Sequence, residues 1–144
     1  MVNNDTIELL KECNSGIKMG ISTIDGVISR TTSNQLQSIL YDSREKHERL
    51  GNETSSLIQK YGDKTKEPNV MAKSMSWLKT NAKLMMDESD NTVSDLITDG
   101  CNMGVKSVNK YLNQFDAADE ESKNIAKELI KIETELAVEI SPYL

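Results

Sequence analysis

Cys13-Asn14-Ser15-Gly16-Ile17-Lys18 returns in the second half of the chain as Cys101-Asn102-Met103-Gly104-Val105-Lys106, with Cys, Asn, Gly and Lys in register. A stretch that recurs at a fixed offset marks one supersecondary unit used twice. Around each copy the apolar residues fall three and four apart, which is the period of a helix buried on one face. In the first half they are Leu10, Cys13, Ile17, Gly20, Ile24 and Val27; in the second, Val93, Ile97, Cys101, Gly104, Val108, Leu112 and Phe115. Working outward, Leu36, Leu40, Ser43 and His47 match Ile125, Leu129, Ile132 and Leu136 after one residue of slip. Each half therefore reads as a long helix, a tight turn and a second long helix.

The punctuation agrees. Asp5 with Glu8 resembles a capping box at the start of a helix over residues 5–30. Thr32 with Gln35 opens the second helix, whose seam continues through Leu50, Thr54, Leu57 and Tyr61 until Gly62 stops it. Residues 87–91 cap the third long helix and residues 116–119 form the second tight turn. Ser141-Pro142 ends the last helix. Between the hairpins at 5–62 and 89–141 lies a connection over 63–88. Pro68 stands where a short helix begins, and Met71, Met75, Leu78, Ala82 and Met85 have helical spacing beside Trp77. Antiparallel neighbours need only a few linking residues. So long a joint favours a chain that travels back along the bundle, and a plain up-down bundle with an excursion is the alternative.

Composition places this architecture in a single all-α domain. The chain has 144 residues, 37% hydrophobic and 28% charged, with two prolines and seven glycines. That suits one soluble helical core. A net charge of −6 opposes a nucleic-acid partner, which requires a basic surface. No run is apolar enough to span a bilayer, and residues 1–6 lack the pattern of a secretory signal, so no membrane partner and a cytoplasmic location are expected.

The two hairpins, the segment Met75-Ser76-Trp77-Leu78-Lys79 and the stretch Asp99-Gly100-Cys101-Asn102 resemble ferritin-like four-helix-bundle proteins. They are most similar to an uncharacterised family of small bacterial proteins with that fold. The resemblance implies two hairpins joined by a helical crossover. In its metal-binding members it implies a Glu on the first and third helices and Glu-x-x-His on the second and fourth. This chain departs from that pattern. Arg44, not Glu, stands three residues before His47, and Leu136 follows Glu133 where a second histidine belongs. No carboxylate cluster faces inward on the register read above, so a di-iron site is not expected.

The remaining chemistry-bearing residues are few. His47, the single histidine, lies in mid-seam. It reads either as a metal ligand acting with Cys13 or Cys101, or as a buried side chain bonded to Ser43 or Thr54. In antiparallel first and third helices the two cysteines fall roughly 10 Å or more apart along the axis, at ~1.5 Å per residue. A disulfide needs Cα atoms within about 7 Å, so two buried free thiols are expected. Gly16 with Gly20, and Gly100 with Gly104, share helix faces. Each costs about 1 kcal/mol of helix propensity, which close helix packing or a backbone-lined ligand gap would offset. The charged run Arg44-Glu45-Lys46-His47-Glu48-Arg49 is mostly solvated face. The expected role is a non-catalytic structural or protein-interaction protein without a cofactor, acting as a homodimer, with the methionine-rich crossover as a contact face. The alternative is a degenerate metal protein holding one transition-metal ion through His47, Cys13 and Cys101, in storage, sensing or oxidative-stress defence.

Overall fold

A computed structural model describes residues 3–63 and 89–144 of the chain. These form four long helices, α1 (Asn4–Val27), α2 (Asn34–Lys60), α3 (Asp90–Gln114) and α4 (Glu120–Ile140). Short 3-10 turns at Ile28–Arg30 and Ser141–Tyr143 extend α1 and α4. Among the described residues there is no strand. The expected short helix with its methionine stripe falls at 69–86, outside the described residues.

Each helix begins on a side-chain cap, one or two residues from where the sequence suggested for the first two. Asn3, Ser33, Ser89 and Asp119 accept from the backbone N–H of Thr6, Leu36, Thr92 and Ser122. Such a cap satisfies one of the four amide groups that a helix start leaves without a partner. Ser33 displaces the expected Thr32 because Thr32 is engaged elsewhere. Its amide and hydroxyl both donate to Asp90, at 2.7 and 2.8 Å, and the Ser33 amide adds a third bond at 3.1 Å. Asp5 is likewise diverted, accepting from the Ala117 amide, so Asn3 takes the cap. At the other end of α2, Gly62 adopts φ +78, the left-handed conformation that terminates a helix.

Those bonds also fix helix directions. The start of α1 is tied to the α3–α4 turn through Asn3 to Ala117 and Thr6 to Asp119, while the start of α3 is tied to the α1–α2 turn through Asp90. Thus α1 and α4 run one way, and α2 and α3 the other. Helix α1 packs against all three others.

The buried residues follow most of the seams, in two apolar clusters, with Ile58 in place of the expected Leu57 and with Tyr61, Leu112 and Phe115 only partly buried. One gathers Leu9, Leu10, Cys13, Ile17, Leu50, Ile58 and Leu129; the other gathers Ile24, Val27, Leu36, Leu40, Ile97, Cys101 and Leu136. Between them, at the level of Gly20, His47 and Glu133, the interior becomes polar. The repeated Cys-Asn stretch is not equivalent in its two copies. Asn14 is buried and donates to Thr54 Oγ1 at 2.7 Å, whereas Asn102 is exposed. No helix among the described residues is long and apolar enough to cross a membrane.

Candidate functional site

His47 is 1% exposed and Glu133 8%. The two meet across the α2–α4 contact, with His47 Nε2 2.8 Å from Glu133 Oε1. The other ring nitrogen, Nδ1, lies 2.7 Å from the carbonyl oxygen of Ser43, one helical turn back. A carbonyl can only accept, so Nδ1 carries a proton. Beside the Glu133 carboxylate Nε2 donates when the ring is protonated, and the pairing favours that imidazolium form. Burial alone lowers the His47 pKa, but the Glu133 hydrogen bond and charge, with the Ser43 carbonyl, outweigh it and the net shift is upward.

Of the two expected partners, Ser43 is used mainly through its carbonyl, its hydroxyl being 3.4 Å from Nδ1. Thr54 is not used, because it bonds to Asn14 and to the Gly51 carbonyl. One carboxylate, Glu133, does point inward beside the histidine, as a single acidic residue and not as part of a cluster among the described residues. The signal was present. Ala126, Leu129, Glu133, Leu136 and Ile140 also recur at three and four, so a carboxylate sits inside an apolar stripe just as the lone histidine does.

The expected metal-ligand residues are not brought together as a set. Cys101 lies near enough to Glu133 for the carboxylate to raise its thiol pKa. Cys13 belongs to the other apolar cluster. Both cysteines are free and buried. Burial, reinforced by Glu12, pushes the Cys13 thiol up to about 12. Burial, and after it the Glu133 carboxylate, push Cys101 strongly upward. Both therefore stay protonated at neutral pH, and a protonated thiol is a poor nucleophile. Among the described residues, no three His, Cys, Asp or Glu side chains are grouped so as to hold a metal ion.

Above the ion pair lies a cavity of about 250 Å³ between α1 and α3. Gly16 and Gly20 line it from α1, Gly100 and Gly104 from α3, and His47 and Glu133 from below. The glycines thus face a space. A Cβ at Gly16 would find only Leu129 Cδ2, at 4.0 Å, and one at Gly104 would meet the Glu133 side chain at 3.5 Å. At Gly20 it would press on the His47 ring at 3.1 Å. At these three positions the nearest atoms are side chains, so close approach of helix backbones does not explain the glycines.

Outside the site, the charged face of α2 behaves as solvated surface: Arg44 bridges Asp25 and Glu48, and Arg49 pairs with Glu45. Comparison with known protein families, curated proteins and solved structures gives no significant match.

Proposed function

We propose that the protein is a non-catalytic bundle of ferritin-like topology that works by binding and not by chemistry. The observation that supports this is the double commitment of its one histidine. In the imidazolium form that this pairing favours, both ring nitrogens donate, to Ser43 and to Glu133, so neither lone pair is available to a metal or a substrate proton. In a metal-carrying bundle the same level would present carboxylates and histidines with lone pairs open toward the ions. The opposed directions of α1 and α3 support a connection that crosses the length of the bundle between α2 and α3. The contacts through which it acts are protein contacts, with a second copy as the first candidate. Tyr41, Met103 and Val138 are exposed apolar side chains on three different helices that could serve them.

The test is metal analysis of protein purified without chelators, combined with analytical ultracentrifugation. Sub-stoichiometric metal and an unchanged melting temperature on adding iron, zinc or copper are expected, with a sedimenting dimer, since an ion bound to the folded state must raise its stability. Near-stoichiometric metal lost in His47→Ala would instead establish the alternative of a single-ion protein.

A further inference from the structure

We propose that the cavity between α1 and α3 is a binding site for a small, uncharged, mainly apolar molecule with one O–H or N–H donor, of the size and polarity of a phenol, and that the donor bonds to Glu133. Size, lining and charge each narrow the choice. A cavity of about 150 Å³ accepts a benzene ring, so the roughly 250 Å³ present here holds a ring with a short substituent. Met19, Ile24, Ile97, Val108 and Leu136 supply apolar wall, which suits a ring and not a sugar or a nucleotide.

The floor sets the polar requirement. A carboxylate offers about four acceptor positions. His47 occupies one on Glu133 Oε1, and Glu133 still borders the cavity. The remaining capacity calls for a donor from the ligand, in a charge-assisted bond stronger than a neutral one. An anion would meet the carboxylate. Besides the His47–Glu133 pair the lining holds a second carboxylate, Glu12, which adds to the barrier against an anion, while a cation would have to shed its water against the apolar wall. The described lining contains no lysine or arginine to favour an anion.

The glycines keep that floor accessible. Side chains at 20 or 104 would lie against His47 and Glu133, at 3.1 and 3.5 Å from the first added carbon, and would cover them. Gly16 is exposed and stands at the rim with open space beside it. The site rests on the same closed His47–Glu133 pair as the binding role proposed above, but phenol binding and metal content are read separately, so either can fail without the other.

The experiment is an NMR titration of the intact protein with phenol, anisole and benzoate, observing the His47 ring, which is the only imidazole in the chain. Phenol is expected to bind saturably at one site and to shift the His47 resonances. Anisole, which has the same ring without the donor, should bind at least about tenfold more weakly, and benzoate should not bind. Gly16→Met projects a flexible side chain over the rim from an exposed position. It should melt within a few degrees of the parent and lose phenol binding. Absence of saturable phenol binding, anisole or benzoate binding as tightly as phenol, or unchanged phenol affinity in Gly16→Met would each overturn the assignment.

Discussion

Separating His47 from Glu133 should cost far more than removing both. Replacing His47 by Leu strands a carboxylate that is 8% exposed beside a thiol and two glycines. Removing one partner of a buried ion pair typically costs about 3–5 kcal/mol. Replacing Glu133 by Met is less severe. The imidazole can then release its Nε2 proton near the ordinary histidine value of about 6.5, leaving one unsatisfied nitrogen at about 1–3 kcal/mol. Nδ1 keeps its bond to Ser43 in either case. The double variant His47→Leu/Glu133→Met carries neither buried charge, and such replacements are commonly neutral or stabilising, so it should lie within about 2 kcal/mol of the parent. The four chains then give a coupling of at least about 2 kcal/mol. The assay is urea unfolding at neutral pH followed by helical circular dichroism, using chains whose transitions share one slope. Single-variant costs that add to the double-variant cost within about 0.5 kcal/mol would refute the pairing, because that is how independent sites behave.

Further outcomes follow from the same structure. Gly16→Ala should raise stability by about 0.5–1 kcal/mol through helix propensity, while Gly20→Ala should lower it, since its Cβ would press on the His47 ring at 3.1 Å; urea midpoints distinguish the two. Asp90→Ala removes three hydrogen bonds that fasten α3 to the α1–α2 turn and should cost about 1–3 kcal/mol, with the lost amplitude fading as acid protonates the parent's lowered Asp90. Stability should fall as pH rises above neutral. His47 is raised when folded, so its contribution is full below about 6.5 and is lost as pH climbs through the raised value. Above about pH 8.5 the unfolded thiols ionise while folded Cys13 and Cys101 stay protonated, which steepens the decline; native protein should also resist a thiol reagent that reacts fully in urea.

The long helices were readable because their physics is periodic. Leu36, Leu40, His47, Leu50 and Thr54 on α2, and Ile125, Leu129, Ile132, Leu136 and Ile140 on α4, are buried as their spacing requires. Gly62 as a helix stop was equally legible, since a positive φ is a local matter. The first two N-caps were displaced because Thr32 and Asp5 are recruited by Asp90 and Ala117, partners far away in sequence. The polar centre was hidden for a related reason. Whether Glu133 points at His47 depends on the rotation of α4 against α2, and an apolar stripe read through Ile132 places the carboxylate just off the face. The glycine pairs were visible as an anomaly, but only assembled helices show whether the space beside a glycine is filled by a neighbouring backbone or left open.

With a single histidine in the chain, the protonation of its ring can be observed directly. In ¹⁵N-labelled protein at the ordinary histidine value of about pH 6.5, the imidazolium form should already predominate over the neutral ring at both His47 nitrogens, and neither should change on adding zinc. A neutral ring with one bare nitrogen at that pH, or a nitrogen resonance moved by bound metal, would contradict the closed ion pair and the binding role built on it.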